Sequence, residues 1–87
     1  MVKYRIEIKK SAAREIEHIA RKDIKPVLEK ISSLAENPRP HNCKKLSGQE
    51  KYSIRCGDYR ILYSIEDAIL IILVVKVGHR KDVYRGG

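Results

Sequence analysis

The sequence predicts an α+β domain with elements in the order β-α-α-β-β-β, in which two N-terminal helices pack on one face of a largely antiparallel sheet. Three observations predict this architecture. Apolar residues alternate with polar ones near both ends of the chain, which is typical of strands, and they recur with a helical period in between. The 87 residues, of which 43% are apolar, match a single domain spanning residues 1–87.

A change in the spacing of the apolar residues predicts where the first strand ends and the first helix begins. Residues 2–9 place apolar side chains on one side and charged side chains on the other, as in a half-buried strand. From Ala12 to Arg21 the apolar residues share one helical face, and Ser11 is the expected N-cap. The sequence therefore predicts a strand followed directly by a short amphipathic helix.

A second helix and a basic loop follow. The helical stripe resumes after Asp23, the expected N-cap, and continues to about Glu36, with Pro26 in the first turn, where its missing N–H costs little. Residues 37–48 contain two prolines, with Asn37 before them and Asn42 after them, and several basic residues. We expect this stretch to be an exposed basic loop.

The second half of the chain predicts three consecutive strands. They are Tyr52–Cys56, Tyr59–Ile65 and the nearly continuous aliphatic run Ala68–Val77, joined by turns at Gly57-Asp58 and Glu66-Asp67. The aliphatic run suits a strand deep in the sheet. After Gly78 the chain predicts only a short polar tail.

The charge distribution points to an anionic partner. The formal charge is +8, and residues 39–60 carry six basic and two acidic side chains, while residues 76–85 carry four basic and one acidic side chain. A strong positive field on so small a domain favours nucleic acid, ahead of an acidic protein or a membrane surface. The excess charge lies in the hairpin and the tail.

Several protein classes are excluded by the same composition. The longest apolar run has eight residues, far below the ~20 that a membrane-spanning helix needs. The N-terminal residues lack the apolar segment of a secretory signal, and two cysteines are too few for a disulfide scaffold. We therefore expect a cytoplasmic protein with no membrane partner.

The predicted hairpin places two arginines opposite each other. A two-residue turn at Gly57-Asp58 pairs Arg55 with Arg60, and like charges in that position destabilise a hairpin. An anion between the two guanidinium groups would explain the arrangement, since two such groups converge well on a phosphate. Lys51 and Ser53 extend the same polar face. The alternative is a solvated basic face on which the two arginines splay apart.

Other chemistry-bearing residues give weaker signals. The pattern indicates that Tyr4, Tyr59 and Tyr63 are core residues, whereas Tyr84 lies in the polar tail and could stack on a base. The four possible zinc ligands are scattered without metal-site spacing and include Cys56. We therefore predict no metal site and no cofactor.

Three elements in this order resemble the RelE toxins of the RelE/ParE superfamily, over nearly the whole chain. They are Lys45-Leu46-Ser47-Gly48, Tyr59-Arg60-Ile61-Leu62-Tyr63, and the ending Val77-Gly78-His79-Arg80-Lys81-Asp82-Val83-Tyr84. The resemblance implies the toxin of a type II toxin-antitoxin system. It also implies a metal-independent endoribonuclease that cuts mRNA in the A site of the 70S ribosome, and a RelB-like antitoxin with an acidic amphipathic segment.

The resemblance also implies roles for individual residues. Arg60 and Arg80 match phosphate-binding arginines of the family, Arg55 matches a basic strand residue, and Tyr84 matches a catalytic-site tyrosine. Some relatives carry a lysine at the position of Ser53, where it helps to activate the attacking 2′-hydroxyl. In this chain Lys51 or His79 could be the base instead.

The remaining basic residues are expected to hold RNA and ribosome through phosphate contacts. The predicted binding residues are Lys44, Lys45, Lys51, Ser53 and Lys81. Two other functions remain open from the sequence. One is a ParE-like inhibitor of DNA gyrase, against which the Arg80 and Tyr84 ending argues, and the other is a non-catalytic RNA-binding module.

Overall fold

The computed structural model describes residues 3–46, 48 and 50–79. In chain order the elements are β1 (Arg5–Ile8), α1 (Lys10–Glu17), α2 (Arg21–Ser33), β2 (Lys44–Lys45), β3 (Lys51–Cys56), β4 (Tyr59–Glu66) and β5 (Ile71–His79). No helix in this part of the chain has the length and apolar content to cross a bilayer.

The strands form one sheet in the order β1-β5-β4-β3-β2. Only β1 and β5 run parallel, and every other pair is antiparallel. The two helices connect β1 to the rest of the sheet and cover one face of it. The predicted α+β class, with two helices on one face of a largely antiparallel sheet, is confirmed.

Both predicted helix caps are wrong. Helix α1 begins at Lys10 rather than after Ser11, and α2 begins at Arg21, with Ala20 as its N-cap and Asp23 inside the first turn. Neither cap residue makes a side-chain hydrogen bond. Backbone bonds start the helices instead: Ala13 N donates to Lys9 O at 2.9 Å, and Asp23 N donates to Ala20 O at 2.8 Å.

The earlier start of α2 also changes the position of Pro26, which we expected in the first turn. It is the sixth residue of the helix. A proline there removes one i to i−4 hydrogen bond, a cost that the buried packing of Val27 and Ile31 beside it offsets. After Ser33, backbone hydrogen bonds between residues three apart continue the helical turns to Glu36, which is the predicted end of this helix.

The strands differ from the sequence prediction in number and in several bounds. The first strand is shorter than the predicted 2–9 and begins at Arg5. Part of the expected basic loop forms β2, a two-residue strand that pairs with β3 at the edge of the sheet, so the described part of the chain has five strands rather than four. Strand β5 begins at Ile71 instead of Ala68, because residues 67–70 form the β4–β5 turn, in which Leu70 adopts φ +55°. The turn at Gly57 is as predicted, with φ +61°.

The core lies between the sheet and the helices. It consists of the buried apolar residues Ala12, Ile16, Val27, Ile31, Leu34, Ile54, Ile61, Tyr63, Ile72, Val74 and Val77. Tyr63 is fully buried, whereas Tyr4 packs only partly against the core and Tyr59 is half-buried. The opposite sheet face, which we call the open face, carries no helix in the described part of the chain.

Candidate nucleic-acid interface

The open face brings the two hairpin arginines together. Arg55 pairs with Arg60 across β3 and β4, and Arg60 pairs in turn with Gly78 on β5. Gly78 contributes no side chain to this row. Arg55 Nε donates to Gly57 O at 3.0 Å, which holds its side chain towards the turn. The predicted pairing of like charges is confirmed.

Ser53 lies behind Arg60 rather than at the surface. It is 1% exposed, and Arg60 Nη1 donates to Ser53 Oγ at 3.4 Å. Ser53 also sits in a cross-strand row with Lys44, Leu62 and Lys76. In this structure its hydroxyl is therefore placed to support Arg60, whereas a direct contact between Ser53 and RNA would need an approach through covered surface.

The predicted binding lysines are divided between the two sides of the sheet. Lys44 and Lys51 have the register of the open face and are exposed. Lys45 pairs with Tyr52, on the register of the helix side, and its Nζ lies 3.7 Å from a carboxylate oxygen of Glu50. Lys44 and Lys51 thus share the face of the arginine pair, and Lys45 does not.

His79 lies on the other face from the arginine pair. It pairs with Tyr59 at the end of the β4–β5 ladder, and the two rings meet edge to face with their centroids 6.0 Å apart. These residues line a cleft against α1 together with Glu15 and His18. As a general base for chemistry at Arg60, His79 would have to act around the end of the sheet.

Three residues predicted from the sequence lie outside the described residues: Arg80, Lys81 and Tyr84. Arg80 and Lys81 follow directly after His79, the last described residue of β5, and Tyr84 is five residues beyond His79. Over the described ranges, no three His, Cys, Asp or Glu side chains are grouped closely enough to hold a metal ion.

A polar cluster at the opposite end of the sheet was not predicted from the sequence. Arg39 Nη2 donates to Asp67 Oδ2 at 2.9 Å, Tyr4 Oη donates to Asp67 Oδ1 at 2.6 Å, and Arg39 Nε donates to Tyr52 Oη at 3.2 Å. We call Tyr4, Arg39, Tyr52 and Asp67 the clamp. Arg39 and then Tyr4 lower the pKa of Asp67, and the bond to Asp67 raises the pKa of Tyr4.

The clamp fixes the loop after α2 to the sheet. The Arg39 guanidinium carbon also lies 5.3 Å from the centroid of the Tyr52 ring, and that ring stacks on Tyr63 at 5.9 Å. Tyr63 Oη donates to Pro38 O at 2.8 Å, and burial raises its pKa. From the sequence we could predict only that the helix ends and a loop begins near Pro38. The contacts within the clamp could not be predicted, because the residues that make them are distant in the chain.

Sequence comparison relates residues 4–84 to one toxin family. They match the profile of the family described as the ParE toxin of the type II toxin-antitoxin system parDE. A candidate toxin, RelE1, of Methanocaldococcus jannaschii is 27% identical over 88 residues, which cover 97% of this chain and 98% of that protein.

Solved structures of toxin-antitoxin complexes share the fold. The RelBE2 complex of Mycobacterium tuberculosis contains a chain that superposes with a TM-score of 0.82 at 27% identity, covering 91% of this chain and 100% of that one. The archaeal RelE-RelB complex of Pyrococcus horikoshii OT3 gives a TM-score of 0.81 at 27% identity, with coverages of 95% and 100%.

Proposed function

The chain belongs to the RelE/ParE superfamily as a toxin of a type II toxin-antitoxin system, and from this premise we propose that it blocks translation by cutting mRNA in the ribosomal A site. The proposed activity is that of a metal-independent endoribonuclease. It would act in the cytoplasm, where its ribosome-bound substrate lies.

The observation that carries this proposal is the pairing of Arg55 with Arg60 on the open face, beside a glycine. Two guanidinium groups placed opposite each other on neighbouring strands repel, and an anion bound between them would offset that repulsion. The negative charge that develops at a phosphate during cleavage fits this need. The exposed Lys44 and Lys51 extend the positive surface along the RNA backbone.

The proposed reaction needs no metal. The 2′-oxygen attacks the adjacent phosphorus, the bond from phosphorus to the 5′-oxygen breaks, and the products are a 2′,3′-cyclic phosphate and a 5′-hydroxyl. Arg60 would stabilise the charge on the phosphate, together with Arg80, which lies outside the described residues. Tyr84, also outside them, would align the nucleotide.

The 2′-hydroxyl must give its proton to an acceptor, and the departing 5′-oxygen must receive a proton from a donor to become the 5′-hydroxyl. Lys51 has the register of the open face, two residues from Ser53, so it is the better placed of the two bases considered from sequence. His79 packs on Tyr59 on the other face. We propose Lys51 as the residue that assists proton transfer, with much of the positioning supplied by the ribosome.

The proposed partner that silences the toxin is a RelB-like antitoxin. Type II toxins are controlled by a cognate antitoxin, and the superposed structures named above are toxin-antitoxin complexes. A chain with a formal charge of +8 favours an antitoxin segment that is acidic and amphipathic. Co-expression of such a partner should restore growth.

Cleavage of mRNA on purified ribosomes tests the proposal. Toxin that has been dialysed against a chelator, and then added to ribosomes kept intact with Mg²⁺, should cut the A-site codon and leave a 2′,3′-cyclic phosphate. Naked mRNA should be cut far more slowly. Intact message after incubation with folded toxin, or activity that depends on zinc bound to the protein, would contradict the assignment.

A second function is favoured by one observation, namely that the matching family profile carries the name of ParE. In a ParE-like function the chain would inhibit DNA gyrase and leave mRNA intact. A supercoiling assay with purified gyrase separates the two, because each function predicts a signal in one assay only. A chain that binds RNA and is silent in both assays would be a non-catalytic RNA-binding module.

A further inference from the structure

Strand β5 extends beyond the strand that pairs with it on one side. Strand β1 ends at Ile8, which pairs with Val74, and the last backbone bond between the two strands runs from Lys9 N to Val74 O at 2.8 Å. Strand β5 continues to His79. Among the described residues, the last five of β5 therefore have β4 on one side and no strand on the other.

A side chain from α1 occupies this unpaired edge. Glu15 Oε1 accepts a hydrogen bond from Val77 N at 3.0 Å, and Glu15 Oε2 lies 3.4 Å from Lys76 Nζ. Val77 is buried, so its N–H would otherwise lack a partner at a site that water reaches poorly. The carboxylate thus supplies the acceptor that a longer β1 would have provided.

The anchored segment lies beside the proposed catalytic arginine. On the β4 side, Val77 pairs with Ile61 and the next residue, Gly78, pairs with Arg60. Glu15 itself approaches from the α1 side, and its side chain is one-third exposed. It therefore fixes the strand next to Arg60 without lying on the open face.

The same carboxylate holds a cation that belongs by register to the open face. Lys76 is in the cross-strand row that contains Lys44, Ser53 and Leu62, yet its ammonium group bends towards Glu15. This charged contact adds to the hydrogen bond at Val77. Both contacts hold β5 two to three residues before its last described residue, His79.

We propose that Glu15 is a positioning residue for the ribonuclease activity, which orients the end of β5 by bonding to Val77 N and Lys76 in place of a neighbouring strand. The inference rests on the proposed function. Gly78 follows the anchored residue and pairs with Arg60, and a misplacement of about 1 Å in such a site costs up to ~10²-fold in rate. Glu15 limits this misplacement and has no contact with RNA.

Two substitutions of Glu15 and one control test this role in the full-length toxin. Glu15→Ala removes both contacts, and Glu15→Gln keeps an oxygen that can accept from Val77 N. Glu17→Ala, on an exposed turn of the same helix, is the matched control. Hydrogen exchange at the Val77 amide reports the anchor, and cleavage on programmed ribosomes reports kcat and KM separately.

We expect Glu15→Ala to speed exchange at Val77, while exchange at the core amide of Ile61 stays slow, and to lower kcat by about 10-fold, part of the cost of a ~1 Å misplacement. KM for the ribosome should remain unchanged, because Lys44 and Lys51 still contact phosphate groups. Glu15→Gln should recover most of the kcat, and Glu17→Ala should match the wild type.

Different results separate the inference from the function. If the wild type cuts message and Glu15→Ala cuts it with an unchanged kcat, the positioning role is wrong and the nuclease assignment stands. Unchanged exchange at Val77 in Glu15→Ala also overturns the anchor. A wild type that cuts no message refutes the function, and the positioning role falls with it.

Discussion

The two faces of the β3–β4 hairpin are built from the same two strands and differ in almost every physical respect. On the helix side, Ile54, Ile61 and Tyr63 are fully buried against the helices. On the open face, Arg55 and Arg60 stand opposite each other. Burial of the apolar side chains on the helix side stabilises the fold, and repulsion between the like charges on the open face destabilises it.

This difference explains how so small a domain can carry a charged site. Alternation along a strand lets neighbouring residues serve the two tasks, so Ile61 packs in the core while Arg60 beside it faces away from the helices. A substitution on one face should therefore change stability, and a substitution on the other should change activity. The following predictions test how completely the two are separated.

The largest expected effect comes from the core. Ile61 is completely buried, so Ile61→Ala should lower the free energy of unfolding by about 2–5 kcal/mol through lost burial and a residual cavity. Urea denaturation followed by circular dichroism measures this loss. The fraction of protein that remains folded should keep its cleavage rate, and a rate per folded molecule that falls tenfold or more would show that the faces are coupled.

The next effect concerns the open face. Arg60→Ala should lower cleavage by about 10²-fold or more, as the loss of one preorganised electrostatic donor does. The same change removes both the like-charge pair with Arg55 and the hydrogen bond to buried Ser53. These two effects have opposite signs, so the free energy of unfolding should change little. Single-turnover cleavage and urea denaturation of one preparation measure both quantities.

Arg60→Lys is the informative companion to that variant. It keeps the charge and loses the planar guanidinium, so it should recover little activity if the group grips a phosphate by two bonds. Wild-type rates in both variants would mean that the arginine pair is only a solvated basic face, and the nuclease proposal would lose its main support.

Much of this division was predictable from sequence, because it follows from local patterns. The period of two around Ile54 and Ile61 and the Gly57-Asp58 turn predicted both the faces and the pairing of the arginines. The extra strand β2 could not be predicted, since two lysines have no strand signal of their own. They are held by pairing with Ser53 and Tyr52.

The sequence was less informative where the structure depends on distant residues. Glu15 is unremarkable in the helix pattern, and its contact with Val77 spans 62 positions. Ser53 has the alternation of an exposed residue and is buried beside Arg60. The predicted helix caps, Ser11 and Asp23, were wrong for a related reason. Backbone hydrogen bonds and tertiary packing determine where the helices begin, and the nearby polar side chains do not.

A smaller effect is expected at the rim of the open face. Lys44→Ala and Lys51→Ala should each weaken ribosome binding at low salt and lower the slope of log affinity against log salt concentration by about 1. Lys51→Ala should in addition slow cleavage, because Lys51 is the proposed proton-transfer residue. Lys45→Ala, on the other register and near Glu50, is the control and should change the slope less. Equal slopes for all three variants would show that lysines on the open face and on the helix side of the sheet contribute equally to ribosome binding.

The smallest effect lies in the clamp, far from the arginine pair. Its contribution should depend on pH, because Arg39 and then Tyr4 lower the pKa of Asp67 in the folded protein. A lowered carboxyl pKa stabilises the fold above the unfolded value of about 3.9, and this stabilisation disappears as pH falls through the folded pKa. Asp67→Asn should therefore be less stable than the wild type at pH 7, with a gap that closes on acidification.

Denaturation midpoints measured from pH 7 down to pH 2 test that difference, with Asp58→Asn, in the turn at the opposite end of β4, as the matched control. The gap at pH 7 should be small, because Arg39 and Asp67 are both half exposed and water screens their attraction. Cleavage at pH 7 should be equal in Asp67→Asn and the wild type, since the clamp lies at the other end of the sheet from Arg60. A constant gap at all pH values would show that Asp67 acts through its shape and hydrogen bonds alone, without a contribution from its charge.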